Sequence, residues 1–131
     1  MAKAPPRPLS PHLTVWRWGP HMLISILHRV TGVGLSIAGL AVLTWWLMAL
    51  AGGTEAYATF AKAAVHPLGI IVLVGLTWAF FQHLFSGIRH LVMDTGAGFE
   101  LDTNKRFAIL TLVGSVLLTA LLWVYILEYR A

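Results

Sequence analysis

The sequence has 131 residues, of which 58% are hydrophobic and only 11% are charged, and its mean hydropathy is +0.78. Soluble domains carry about 25% charged residues, so this composition excludes an ordinary soluble domain and indicates a membrane protein. The net charge is +4, but the nine lysines and arginines are scattered between apolar segments. Nucleic-acid-binding proteins cluster such residues on one face, so we expect no nucleic-acid partner. The chain has no cysteine and therefore supplies no disulfide and no thiolate ligand.

The first element in chain order is an N-terminal segment, residues 1–29, which we predict to be cytoplasmic and to include the start of the first helix. Its stretch AKAPPRPLSPHL lacks the early apolar core of a secretory signal and the Arg- and Ser-rich amphipathic length of a transit peptide. We therefore expect a bacterial source, the alternative being a processed chain. Pro20 after Gly19 favours a helix that begins at this proline.

Three apolar runs follow, and each is long enough to cross a bilayer as a helix. They cover residues 30–52, 68–88 and 107–127, and about 20 apolar residues span a hydrocarbon core about 30 Å thick. The runs are continuous, whereas the strands of a membrane barrel alternate, and an open sheet would leave backbone groups unsatisfied in lipid. We predict an all-α membrane protein with three transmembrane helices.

Basic residues set the predicted orientation, because cytoplasmic loops carry an excess of Lys and Arg. They are Lys3, Arg7, Arg17 and Arg29 before the first span, Lys62 in the first loop, Arg89, Lys105 and Arg106 around the second loop, and Arg130 after the third span. This distribution predicts a cytoplasmic N-terminus and a periplasmic C-terminus. The chain then divides into residues 1–29, a membrane domain over 30–127 and a periplasmic tail over 128–131.

A polar patch is predicted where the first helix enters the membrane, in SILHRVTG at residues 25–32. Ser25, His28 and Arg29 stand at i, i+3 and i+4, so they project from roughly one helix face near the cytoplasmic interface. One interpretation is a ligand-binding patch. The alternative is that Arg29 reaches the headgroups while His28 lies at the water boundary.

A second polar group interrupts the second span, in FFQHLFSGIRHLVMDTG at residues 80–96. His83 lies roughly 8 Å inside the end of the span at 1.5 Å per residue, where a polar side chain is costly without a partner or ligand. The helical spacing predicts one face that holds His83, Ser86, Gly87 and His90, with the glycine as a flat place for close approach. This face is compatible with a haem or metal ligand, although from spacing alone an interhelical hydrogen bond is the commoner role of a lone intramembrane histidine.

The remaining features indicate no further site. His66, next to Pro67, is expected at the periplasmic interface. The third span has only Gly114 and Ser115 as candidates for close helix approach, so its predicted role is structural. The tryptophans are expected to anchor the chain at the membrane interface.

Three blocks, RPLSPHLTVW at residues 7–16, SILHRVTG at 25–32 and HLFSGIRHLVMDTG at 83–96, resemble the cytochrome b subunit of succinate dehydrogenase, the larger membrane anchor of respiratory complex II. The blocks occur in that family's order on a three-helix frame, and the resemblance covers nearly the whole chain. The sequence departs from the family's pattern at two positions. Trp16 stands where tyrosine is common, and Met93 stands where tryptophan is frequent. Neither position belongs to the expected ligands.

The resemblance implies a haem b site that is shared with a second subunit. His83 matches the axial ligand of the haem iron, and a histidine of the smaller anchor subunit is expected on the opposite face. His28 and Arg29 match residues near the haem propionates. The three helices are then part of a heteromeric bundle.

The resemblance also implies a site for ubiquinone, the electron-accepting substrate. Ser25 and Arg29 match the quinone-binding serine and arginine. His90 and Asp94 match further signature positions, where we expect side chains that contact the binding residues or stabilise the fold. These side chains would lie at the membrane face nearest the soluble subunits.

The function implied is that of a membrane anchor of succinate:quinone oxidoreductase in the bacterial inner membrane. Electrons from succinate would arrive through a flavoprotein and an iron–sulfur subunit, because nothing here resembles a dinucleotide-binding strand–turn–helix. The chain alone would have no complete activity. A fumarate reductase anchor is the first alternative, followed by a structural anchor without haem. A small transporter is disfavoured because no inverted repeat or broken helix pair is visible.

Overall fold

The structure, a computed structural model, describes residues 18–129, and this range contains helices and no strand. The all-α class is confirmed. Helix α1 (Pro20–Gly34) continues through a π-helical segment (Leu35–Gly39) into α2 (Leu40–Ala51), and α3 (Thr54–Val65), α4 (Pro67–Asp94) and α5 (Leu101–Glu128) follow. The predicted block at residues 7–16 and the basic residue Arg130 lie outside the described residues.

Three helices are long and apolar enough to cross a membrane, as predicted: Pro20–Ala51, Pro67–Asp94 and Leu101–Glu128. At 1.5 Å per residue a helix of 28 residues is about 42 Å long, which exceeds the hydrocarbon core of about 30 Å. Each helix extends furthest past its apolar run at the end predicted to face the cytoplasm. The helix bonds its own backbone groups in water and lipid alike, so it continues through the headgroup region.

Local sequence accounts for the helix ends. Pro20 begins α1 after an extended Gly19, which confirms the predicted start and agrees with the preference of proline for the first helical position. His66 is extended and caps α4, since its Nδ1 accepts a hydrogen bond of 3.2 Å from the backbone N–H of Leu68. Gly53 joins α2 to α3 in the left-handed region (φ 88°) that favours glycine.

The short helix α3 was not predicted. Its sequence, TEAYATFAKAAV, carries both an acid and a base and is too short and too polar to be recognised as a span. The rings of Trp45 on α2 and Phe60 on α3 meet edge to face with centroids 5.1 Å apart. This contact holds α3 against the end of the first span.

The helices pack mainly through small and polar side chains, while the large aliphatic side chains, Ile24 excepted, lie largely on the outside. The buried residues are Ile24, Ala49, Ala79, Ala108, Thr31, Gln82, Ser86, Arg89, Thr111, Ser115 and Thr119. Such interfaces are typical of membrane helices, because lipid supplies no hydrophobic drive to bury leucine and small side chains let backbones approach. The exposed apolar faces are therefore available to lipid or to partner helices.

A buried hydrogen-bond cluster joins α4 to α5. Ser115 Oγ donates to Gln82 Oε1 at 2.8 Å, and Gln82 Nε2 donates to Ser86 Oγ at 3.0 Å. Both serines and the glutamine are fully buried. Ser86, which the helical spacing places beside His83, also bonds Gln82 one turn earlier on α4, so this buried cluster borders the predicted face.

We expect Ser115→Ala to destabilise the contact between α4 and α5. The change leaves Gln82 Oε1 buried without this donor, and interhelical hydrogen bonds in membranes contribute about 0.6 to 1.7 kcal/mol. Thermal unfolding of the purified complex in detergent measures the effect as a lower Tm. Ser36→Ala, at an exposed position of the π-helical segment, is the control, and an equal Tm for Ser115→Ala and wild type would contradict the assignment.

Candidate functional site

Helices α1 and α4 bring three predicted imidazoles together. The rings of His28 and His83 meet edge to face with centroids 4.0 Å apart and an interplanar angle of 77°. The ring of His90 lies 5.1 Å from that of His28. His28 therefore lies between the two histidines of α4. It precedes Gly32, where α1 lies close to the His83 ring of α4, by one helical turn.

His83 is held to α1 through one of its two ring nitrogens. Its Nδ1 lies 3.1 Å from the backbone carbonyl oxygen of His28 and 3.4 Å from Thr31 Oγ1. Within residues 18–129 the structure gives no hydrogen bond to the Nε2 of this ring. Helix α1 therefore orients the His83 ring through Nδ1.

Two glycines border the histidines. A Cβ on Gly32 would lie 2.9 Å from His83 Cε1, closer than real Cβ contacts, so a side chain at this position would require the His83 ring to shift. A Cβ on Gly87 would lie 4.0 Å from His28 Cε1, an ordinary contact distance. His28 is therefore the nearest side chain to Gly87 but would leave room for a Cβ there, and the tighter constraint, which the sequence did not reveal, is at Gly32.

His28 carries a buried polar atom that the described residues do not satisfy. Its Nδ1 is inaccessible to solvent and has no hydrogen-bond partner among them. A buried polar group without a partner costs about 1 to 3 kcal/mol. A ligand group that hydrogen-bonds this nitrogen would remove the cost; where Nδ1 carries the hydrogen, that group is an acceptor such as a carboxylate.

Ser25 and Arg29 lie on the flank of α1 next to this cluster. Ser25 is half-buried and Arg29 is exposed, and one helical turn separates them. Neither Ser25 nor Arg29 hydrogen-bonds His83 in the described part of the chain, so the predicted patch on α1 meets His83 through His28, whose ring contacts it. His90 and Asp94 are exposed on α4, and Asp94 is its last residue.

A buried arginine near the site was not recognised from the sequence. The charge distribution predicts Arg89 among the basic residues around the second loop, but it lies within α4, is only 7% exposed, and donates through Nη2 to Asn104 Oδ1 on α5. Its Nε is buried without a partner among the described residues. The signal was available, since Arg89 follows Gln82 and Ser86 at the spacing of one helix face.

Within the described part of the chain, no group of three or more His, Cys, Asp or Glu side chains could hold a bare metal ion. Haem iron needs a different donor set, because the porphyrin supplies four nitrogens and the protein only axial ligands. A single oriented imidazole such as that of His83 fits this requirement. The unsatisfied Nδ1 of His28 fits a nearby propionate.

Comparison with known proteins identifies the family of this chain. The sequence model of the succinate dehydrogenase/fumarate reductase transmembrane subunit matches residues 3–122. The succinate dehydrogenase cytochrome b556 subunit of Paracoccus denitrificans is 40% identical over 115 residues, which is 88% of each chain. That of Rickettsia conorii is 42% identical over 118 residues, 90% of this chain and 91% of the relative.

A mitochondrial relative is more distant. The succinate dehydrogenase cytochrome b560 subunit of Sus scrofa is 34% identical over 113 residues, which is 85% of this chain and 66% of the relative. The family model matches most of the sequence, and the Paracoccus and Rickettsia relatives are about 40% identical along nearly their full length. These matches establish the family. This chain belongs to the family of succinate dehydrogenase and fumarate reductase transmembrane subunits, among the succinate dehydrogenase cytochrome b subunits.

Proposed function

We propose that this chain is the larger membrane anchor of a succinate:ubiquinone oxidoreductase, that it binds haem b through His83, and that Ser25 and Arg29 help to form the quinone site. The observation that carries the proposal is the orientation of His83, whose Nδ1 is engaged by α1 while Nε2 is left for a ligand. The names of the relatives, cytochrome b556 and cytochrome b560, support haem as that ligand.

Haem b would lie against α1 and α4. His83 would supply one axial nitrogen, and a histidine of the small anchor subunit would supply the other. His28 Nδ1 and the Arg29 guanidinium would bind the propionates, which satisfies the buried atom of His28. Bound haem supplies one-electron storage and transfer. His90, whose ring approaches that of His28, would keep His28 in place.

Ser25 and Arg29 would act on the quinone carbonyl oxygens. Reduction adds negative charge to these oxygens before protons arrive, and hydrogen bonds from a hydroxyl and a guanidinium stabilise that charge. Ser25 lies in the second turn of α1, near the end predicted to face the cytoplasm. Protons would therefore reach the quinone from the cytoplasmic side.

The remaining subunits and the location follow from this function. The flavoprotein and iron–sulfur subunits would oxidise succinate and deliver electrons at the cytoplasmic face of the bacterial inner membrane. The N-terminus would be cytoplasmic and the C-terminus periplasmic, in line with the charge distribution. The relatives named above are succinate dehydrogenase subunits, which favours succinate oxidation over the fumarate reductase alternative.

Affinity purification through this chain tests the proposed assembly. We expect a flavoprotein, an iron–sulfur subunit and a small second anchor to co-purify in equal amounts when identified by mass. The complex should reduce ubiquinone with succinate faster than it reduces fumarate with a quinol. Isolation without the two soluble subunits, or ubiquinone reductase activity that does not co-purify with the chain, would contradict the proposal.

The tight contact at Gly32 gives a prediction about haem retention. In Gly32→Ala the new Cβ would meet His83 Cε1 at 2.9 Å, so the ring must move away from its position. We expect a haem-to-protein ratio below that of wild type in the purified complex. Gly34→Ala is the matched control, because a Cβ there meets nothing within 4 Å, and equal haem content in the two variants would refute the prediction.

A further inference from the structure

Two oxygen atoms of α1 face the same ring nitrogen of His83. They are the backbone carbonyl oxygen of His28, at 3.1 Å, and Thr31 Oγ1, at 3.4 Å. Thr31 is 3% exposed, so water does not compete for its hydroxyl. Whether each oxygen can donate determines whether His83 Nδ1 carries a hydrogen.

The hydroxyl hydrogen of Thr31 is already used. Thr31 Oγ1 donates to the carbonyl oxygen of Leu27 at 2.7 Å and lies 3.1 Å from that of His28. A hydroxyl has one hydrogen and two lone pairs, so toward His83 it can only accept. The carbonyl oxygen of His28 can also only accept, and both contacts are favourable only when Nδ1 carries the hydrogen.

We infer that Thr31, together with the His28 carbonyl, fixes His83 in the tautomer with hydrogen on Nδ1 and thereby makes Nε2 the nitrogen that binds the haem iron. The inference rests on the proposed function, in which His83 is the axial ligand. Thr31 is a positioning residue, since it acts through His83. Neither the sequence patterns nor the resemblance assigned it a role.

The contact also affects the strength of the ligand. When the ring nitrogen that does not bind the metal donates a hydrogen bond, the imidazole becomes more basic and its ring is fixed. Loss of such a partner typically costs 10- to 100-fold in metal affinity. A more basic axial ligand favours ferric over ferrous haem. Removal of the Thr31 hydroxyl should therefore weaken haem binding and move the midpoint potential to a more positive value.

Thr31→Val tests this directly, because valine nearly keeps the shape of threonine and removes the hydroxyl. In the purified complex we expect haem to be retained about tenfold less tightly, with a more positive haem midpoint potential and an altered ferric haem spectrum. Thr31→Ser restores the hydroxyl and should return all three readouts toward wild type. If the valine variant does not assemble, Thr31→Ala and Thr31→Ser form a second pair that differs in the hydroxyl.

Thr119→Val is the matched control. Thr119 is also buried and also bonds the carbonyl four residues earlier, that of Ser115, but it lies on α5. A wild-type midpoint potential and haem retention in Thr31→Val, or an equal change in Thr119→Val, would overturn the inference. A wild-type complex without haem b would overturn the proposed function as well, so the two failures are distinguishable.

Discussion

His83→Leu is expected to alter or abolish the haem b absorption band of the assembled complex. Leucine fills much of the same space in the membrane but offers no nitrogen to iron. It also removes the contacts of Nδ1 with the His28 carbonyl and Thr31. Haem content per complex and the reduced-minus-oxidised spectrum measure the result. Ubiquinone reduction should fall less than haem content, because in the proposed function electrons would also reach quinone directly from the iron–sulfur subunit.

His66→Asn is the control for His83→Leu. His66 caps α4 through Nδ1, and asparagine keeps an acceptor at the cap position. This variant should have the wild-type spectrum. Unchanged haem content and an unchanged spectrum in an assembled His83→Leu complex would exclude His83 as the axial ligand.

Ser25→Ala and Arg29→Ala are each expected to lower succinate-driven ubiquinone reduction by roughly tenfold or more. Loss of a hydrogen bond to a charged or charge-developing oxygen costs on the order of 1.5 to 3 kcal/mol, and about 1.4 kcal/mol corresponds to a factor of ten in rate. Succinate oxidation with an artificial acceptor that bypasses the membrane site should be unaffected. The ratio of the two activities, measured on assembled complexes, isolates the quinone step.

Arg106→Ala separates a quinone-binding arginine from one that only reaches lipid headgroups. Arg106 is exposed in the second turn of α5, at the end predicted to face the cytoplasm. If Arg29 only anchors the chain at the interface, both arginine variants should reduce quinone equally well. Wild-type turnover and wild-type sensitivity to quinone-analogue inhibitors in Ser25→Ala and Arg29→Ala would rule out the proposed site.

The fold was predictable where the bilayer constrains composition. The three spans follow from run length and hydropathy, and the first helix begins at Pro20 as the residue preferences predict. The amphipathic helix α3 was not predictable by the same criterion, because neither its length nor its apolarity distinguishes it from a loop. The predicted apolar run ends at residue 88, whereas α4 continues to Asp94. Hydropathy marks the end of the hydrocarbon core, but a helix can continue beyond it into the polar headgroup region.

The residues of the candidate site could be named from the sequence, but the contacts between them could not. Helical spacing grouped His83 with His90, yet it could not show that His28 packs between them, since contacts across helices depend on how each helix is rotated. Ser86 stands one turn after Gln82 as well as three residues after His83, so spacing alone did not single out its bond to Gln82. The roles of Gly32 and Thr31 depend on distances to the His83 ring, which no spacing within one helix reveals.

The most direct test of haem binding in this anchor is the dithionite-reduced minus oxidised spectrum of the complex purified through this chain, with haem counted against each subunit. Binding of haem b by His83 and a histidine of the small anchor predicts a b-type spectrum with one haem per copy of this chain. A complex that contains all its subunits and reduces ubiquinone, but shows no b-type band, would contradict it.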